Sequence, residues 1–207
     1  MLAGAGIVAL LCYAGFAWLD VPLYKFLRNF DSGIWHFFDF AAGFQAWTSI
    51  AAITFFVTYA CGARFSGTNK NTVQKIFDVA AAVLLALIIA AAITWLLKIG
   101  FGRMRPLFFD VEGFVGFYPP SFNWAFNSFP SGHAAACFAG LVTIGLMYPK
   151  AKPYTWTVAI VFGFSRIFIG MHWPSDVLLG AFIGMCAADF GAVALESMKN
   201  KGYNSRK

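Results

Sequence analysis

Three short clusters hold most of the residues in this chain that can do chemistry: Lys98 with Arg105-Pro106, then Pro130-Ser131-Gly132-His133, then Ser165-Arg166 with His172 and Asp176. Together they bring three cations, two histidines and one carboxylate to a chain in which 12% of residues are charged. An ionised group removed from water must be paired or must serve a ligand, so polar residues in apolar surroundings are informative. This set is the inventory of a phosphoryl-transfer site. Transfer of a dianionic phosphoryl group needs cations for its equatorial oxygens, an in-line nucleophile and an acid for the leaving oxygen.

Lys98, Arg105 and Arg166 can supply the cations, the arginines through a bidentate fork and the lysine as a compact point charge. Pro130-Ser131-Gly132-His133 stands where a helix begins, and the first N–H groups of a helix have no internal partner. Ser131 can cap that helix when no ligand is bound, Gly132 permits close approach of the backbone, and the helix dipole favours an anion. His133, in the first turn, can protonate a departing oxygen. His172 and Asp176 bracket a short turn carrying Pro174. If the turn brings them together, Asp176 can accept from one ring nitrogen of His172 and leave the other to attack phosphorus. Water activated by His133 would then hydrolyse the phosphohistidine.

The elements that must position these groups follow from composition. Of 207 residues, 60% are hydrophobic and 19% aromatic, and the mean hydropathy is +0.70, far from soluble globular averages. The chain reads as an all-α integral membrane protein and as a single domain over residues 1–207. With about 20 apolar residues needed per crossing, six candidate spans emerge: Leu2 to Leu19, Ser49 to Ala63, Phe77 to Leu97, Ser131 to Tyr148, Tyr154 to Gly170 and Asp176 to Glu196. The second is the shortest. The segment from Asp20 to Trp47 is too polar to cross and suits an interfacial stretch, with Ile34, Trp35, Phe37, Phe38, Phe44 and Trp47 in the interface and Asp31, His36, Asp39 and Gln45 toward water. The aromatic-rich loop from Gly100 to Phe129 is longer than most connections, and such loops are usually functional.

Cytoplasmic loops are enriched in Lys and Arg. Arg64, Lys70, Lys75, Lys150, Lys152, Lys199, Lys201, Arg206 and Lys207 collect on one side of the six spans, which predicts cytoplasmic termini and a candidate site facing the periplasm or exterior of a bacterial inner membrane. The first span lacks the basic flank and cleavage site of a secretory signal and reads as a retained helix. A net charge of +6 is split across two membrane faces and forms no stripe for nucleic acid. Cys12, Cys61, Cys137 and Cys186 lie in apolar runs without metal-ligand spacing and read as small buried hydrophobes.

Lys98-x6-Arg105-Pro106, Pro130-Ser131-Gly132-His133 and Ser165-Arg166-x5-His172-x3-Asp176 resemble, in order and spacing, the tripartite signature of the phosphatidic acid phosphatase type 2 superfamily. The resemblance implies a six-helix membrane core and hydrolysis of lipid phosphates or pyrophosphates without metal or other cofactor. It implies His172 as nucleophile, Asp176 as its orienting partner and His133 as acid and base. Lys98, Arg105, Ser131, Gly132 and Arg166 are implied as phosphate ligands.

Each residue also has a plainer reading. Lys98, Arg103 and Arg105 can snorkel at a helix end, and His172 with Asp176 can form a satisfied structural pair; their joint presence in three clusters argues against both. His36 has no cluster around it and reads as an interfacial surface residue. Asp189 reads as a buried hydrogen-bond partner inside the last span. Lys25, Arg28 and Arg103 can engage a second phosphate or lipid headgroups. A site at helix ends on the outer face favours lipid phosphates: undecaprenyl pyrophosphate, lipid A phosphate, phosphatidylglycerophosphate or phosphatidic acid. The same motifs would serve a lipid phosphotransferase. A non-catalytic protein that binds or moves phospholipids would need the cations and aromatics, but not a nucleophile with an orienting carboxylate. Nothing in the sequence selects an oligomeric state.

Overall fold

The computed structural model describes residues 2–41, 43–62, 67–113 and 116–204. The first helical run begins as α1 (Leu2–Ala14), widens into one π-helical turn over Gly15–Leu19 and continues as α2 (Asp20–Arg28). Then come α3 (Gly33–Ala41), α4 (Phe44–Gly62) and α5 (Gly67–Phe101). The long loop after α5 contains the short α6 (Phe109–Glu112) and two 3₁₀ turns, and the chain ends in α7 (Gly132–Met147), α8 (Lys152–Phe168) and α9 (Pro174–Asn204). Among the described residues the one β-type pairing is a bridge between Arg103 and Phe117.

Length and apolar composition mark four runs as able to cross a bilayer: Gly4–Arg28, Gly33–Gly62, Asn69–Phe101 and Pro174–Met198. The protein is thus an all-α membrane bundle. The helices α7 and α8, at 16 and 17 residues, are shorter than the roughly 20 residues a perpendicular crossing takes. The second expected span begins at Phe44 rather than Ser49, and Phe44 and Trp47 pack against its core neighbours instead of lying in a separate interfacial stretch. Aromatic residues suit the headgroup-level end of a crossing helix, which is why they resemble an interfacial segment in sequence. Likewise Asp20–Arg28 prolongs the first helix.

The core lies where α5, α7 and α9 meet. Ala82, Ala86 and Ala90 recur every fourth residue on one face of α5 and are at most 1% exposed, opposite Ala135, Ala136 and Ala139 of α7. Small residues let helices approach closely where lipid supplies no hydrophobic drive. On α9, a Cβ at Gly180 would stand 2.4 Å from the Ser131 carbonyl oxygen, and one at Gly184 would stand 2.4 Å from that of Ala135. These two glycines are what allow the start of α7 to rest on α9, and so they set the position of Ser131.

Among the basic residues assigned to the cytoplasmic side, Arg64, Arg206 and Lys207 lie outside the described residues, as do the side chains of Lys199 and Lys201. Asp189, expected to be a buried partner, is exposed on α9. Toward its C-terminal end α9 emerges from the core, so a carboxylate there keeps access to solvent or headgroups.

Candidate active site

The three motif clusters converge at the ends of four helices: the C-terminal turn of α5, the first turn of α7, the last turn of α8 and the first turn of α9. Ser131 caps α7, its hydroxyl accepting from the Ala134 N–H at 3.3 Å, while the Ser131 N–H donates to the Asp176 carbonyl at 2.9 Å. Gly132 follows, and a Cβ there would stand 3.7 Å from Cε of Lys98, which places the lysine beside the entry to α7. The turn after α8 ties Arg166 to His172, the Met171 and His172 N–H groups both donating to the Arg166 carbonyl at 3.0 and 3.1 Å.

His172 is 1% exposed. Its Nδ1 faces Asp176 Oδ2 at 3.4 Å and Ser128 Oγ at 3.5 Å, which leaves Nε2 as the other ring nitrogen. The 3.4 Å separation is longer than a formed N–H···O bond, and catalytic hydrogen bonds often tighten only with substrate bound. Burial holds the His172 pKa well below 6.5, and the nearby Arg105, Lys98, Arg166 and His133 push it the same way. An imidazole kept neutral in this way is a competent nucleophile.

Two of the three cations have no carboxylate partner among the described residues. Lys98 donates to the Asn127 carbonyl at 2.6 Å. Arg105 donates to the carbonyls of Trp124, Met171 and Asn127 at 3.0, 3.1 and 3.2 Å, with its guanidinium 4.4 Å from the Trp124 ring centroid. Burial lowers the Arg105 pKa to about 10, so it stays charged at neutral pH. Main-chain carbonyls orient these groups without cancelling their charge, and an uncompensated pair of cations, Arg105 buried and Lys98 half-buried, is a site for an anion. The third cation, Arg166, forms an ion pair with Asp39 of α3.

The long loop is pinned rather than free. Arg105 N–H donates to the Ala125 carbonyl at 2.9 Å, Ser128 N–H to the Arg103 carbonyl at 3.0 Å and Tyr118 N–H to the Gly102 carbonyl at 2.7 Å. Gly102 adopts φ +59, and a Cβ there would meet the Tyr118 carbonyl oxygen at 2.3 Å, so this crossing requires glycine. Trp173 closes the loop against the α8–α9 turn by donating from Nε1 to the Met104 carbonyl at 2.8 Å.

Sequence reasoning missed the support beneath the site. Arg103, considered there as a contact to a second phosphate or lipid headgroups, is 1% exposed and bound on both sides, to Asp20 Oδ2 and to Asp176 Oδ1, each at 2.6 Å. The rings of Phe16 and Trp173 flank its guanidinium at 4.5 and 5.3 Å. Two carboxylates consume its charge and aromatic faces cover it, so Arg103 orients Asp176 instead of meeting a ligand. Asp20 also accepts from the Ser175 N–H at 3.0 Å and from its hydroxyl at 2.5 Å, thereby capping α9 from the far end of the chain. Gly15 makes this contact possible, since a Cβ there would meet the Ser175 Cβ at 2.8 Å. Ser128 donates to Asp176 Oδ2 at 2.5 Å, and the Trp173 N–H donates to the same oxygen at 2.9 Å. The one advance signal was a second arginine two residues before Arg105.

Of the other candidates, Arg28 is engaged by Asp31 and by the Phe168 carbonyl at 2.6 and 3.1 Å. Lys25 lies 5.3 Å from the Phe109 ring centroid. His36 is exposed, with Asp31 at 3.3 Å. Asp39, expected to face water, is drawn instead to Arg166.

The chain is similar to several known proteins. The chain is 30% identical to a lipid A 1-phosphatase of Rhizobium johnstonii over 153 residues, covering 72% of this chain and 63% of the relative. It is 31% identical to a lipid A 1-phosphatase of Rhizobium etli over 144 residues, 69% of this chain and 62% of the relative. The chain thus spans a little under two thirds of the length of these relatives. Its fold is similar to the crystal structure of Aquifex aeolicus LpxE, with a TM-score of 0.53 and 18% identity over 84% of this chain and 94% of that one. The model of the PAP2 superfamily matches residues 79–196. That match takes in more than half of the chain and every residue of the converging cluster, and the chain belongs to the PAP2 superfamily.

Proposed function

We propose that this protein hydrolyses a phosphomonoester or pyrophosphate on a membrane lipid by way of a phosphohistidine. The observation that carries the reading is the placement of half-buried Lys98 and buried Arg105, cations without carboxylate partners among the described residues, beside His172 and the capped start of α7. The cations and the N–H groups of α7 hold the phosphoryl oxygens. Nε2 of His172 attacks phosphorus while the bond to the leaving oxygen breaks, and His133 gives that oxygen its proton. His133 then takes a proton from water, the water oxygen displaces Nε2 from phosphorus, and inorganic phosphate leaves. Asp176, held by Arg103, Ser128 and the Trp173 N–H, orients the Nδ1 side of the ring. The steps need no metal or other cofactor.

The substrate we propose is a bacterial envelope lipid. The similarity to two lipid A 1-phosphatases makes a lipid A phosphate the first to test, followed by undecaprenyl pyrophosphate, phosphatidylglycerophosphate and phosphatidic acid. The proposed topology is a single domain with α7 and α8 completing six crossings, cytoplasmic termini, and the site facing the periplasm. Exposed Lys70 and Lys75 in the N-terminal part of α5, Lys150 between α7 and α8, and Lys152 at the start of α8 support that orientation. They lie at the helix ends opposite the site, where the positive-inside rule puts the cytoplasm.

The test is phosphate release from each lipid in detergent with EDTA, by wild type and by His172→Ala. Release that survives chelation and is lost in the variant is the expected result. A well-folded wild type that releases nothing from any of the lipids would sink the hydrolase reading.

A further inference from the structure

Arg166 is held differently from the other two cations of the cluster. Lys98 and Arg105 rest on main-chain carbonyls, whereas Arg166 has Asp39 as its ion-pair partner, and its side chain is 6% exposed. Its Nε is buried with no hydrogen-bond partner among the described residues, so the guanidinium retains an unused donor. Asp39 is the more accessible partner, at 23%, and it comes from α3, a helix with no buried residue. That helix is seated on α8 by aromatic contacts: Trp35 stacks on Phe168 at 4.0 Å and 9°, and Phe38 meets Phe162 at 6.0 Å.

A carboxylate and a phosphate present the same oxygen fork to a guanidinium. We propose that Asp39 is a built-in competitor for the phosphate subsite: it occupies Arg166 in the ligand-free protein and must leave the guanidinium when a phosphoryl group binds. The inference rests on the reading of Arg166 as a phosphate ligand. Substrate affinity is then scaled down to the fraction of molecules in which Asp39 has left the guanidinium. The gain to the empty protein is that a deeply buried arginine never stands unpaired, which is strongly unfavourable. Trp35 and Phe38 determine how firmly the competitor is seated, because they fix α3 against α8.

The probe is inorganic phosphate, and orthovanadate as its pentacoordinate mimic, titrated against the full chain in detergent. Binding is read from the thermal shift and from inhibition of lipid hydrolysis. Asp39→Asn keeps the side-chain shape and removes the charge, and it is expected to tighten phosphate and vanadate binding by about three- to tenfold, as removing a competitor seated in most molecules requires. Trp35→Ala, which loosens α3, should shift binding in the same direction by less. In an Arg166→Gln background the effect of Asp39→Asn should vanish, because a double-mutant cycle removes a term that depends on both partners. Unchanged or weaker phosphate binding in Asp39→Asn, with a wild type that binds phosphate and hydrolyses lipid, overturns the competitor and makes Asp39 a positioning residue. A wild type that neither binds phosphate nor releases it from lipid overturns the phosphatase reading and this inference together.

Discussion

In α7, 11 of 16 residues are buried, whereas α3 has none and α4 has Ala51 alone. The first helix is closely packed on alanines and glycines of α5 and α9, and it carries Ser131, Gly132 and His133. The other two present Ile34, Phe37, Phe40, Ile53, Phe56 and Tyr59 outward, toward lipid tails and headgroups. The groups we propose to surround phosphorus stand on the half of the bundle whose backbones cannot shift without collision. The half that meets the bilayer contributes one residue to the site, Asp39, and contributes it reversibly. Precision and adaptability are thus assigned to different helices of one chain.

The comparison is sharpened most by His172→Ala, which should lower kcat on the order of 10³-fold or more in a phosphate-release assay. A loss of less than tenfold would move the nucleophile elsewhere. Next comes the support beneath it. Arg103→Ala strands two buried carboxylates and should cost about 3–5 kcal/mol in unfolding measurements in detergent, and Arg103→Lys should fail to restore stability, because one ammonium cannot span both. Gly180→Ala tests the close crossing directly: its new methyl must push the Ser131 carbonyl away, costing about 1–3 kcal/mol along with activity. The pH profile is a gentler probe. His172 must be unprotonated to attack, and its pKa lies well below 6.5, so kcat/KM should fall on the acid side only at pH values below that figure. An acid limb at or above 6.5 would mean that Asp176 governs His172 more than burial and the cations do. At the far end of the scale, Ile53→Ala on the lipid-facing side of α4 should change stability by no more than about 0.5 kcal/mol; a larger loss would break the contrast between the two halves.

The motif residues were legible because charge is scarce in this chain: a Lys, two Arg, two His and an Asp beside apolar helix ends have few explanations besides a ligand. What sequence could not show is pairing across long separations. Arg103 and Asp20 are 83 residues apart, and Ser175 and Asp20 are 155 apart, so nothing local connects them, and Arg103 resembled a spare phosphate contact. Ser128 belongs to no motif, and its partner Asp176 lies 48 residues away. Asp39 sits on the polar side of an aromatic-rich helix and was assigned to water on that pattern, which registers hydrophobicity but not the presence of Arg166 on another helix. The glycines of α9 carry no signal in the sequence, because their importance lies in what passes over them. Span limits were misplaced where aromatic residues at a helix end looked interfacial, as at Phe44 and Trp47.

The link between Asp20, Arg103 and Asp176 also bears on how the protein is made. Its three members leave the ribosome in the order carboxylate, guanidinium, carboxylate, and the last cannot dock until the final helix has entered the bilayer. Until then Arg103 has Asp20 as its carboxylate partner and donors still open on its other side, a state that favours access to water or headgroups over burial. Insertion of α9 fills those donors, orders its own first turn through Asp20 and brings Asp176 up to His172. The alignment of His172 with Asp176 is thereby tied to insertion of α9: a chain in which that helix is not yet in place holds the pieces of the proposed reaction centre but not their alignment.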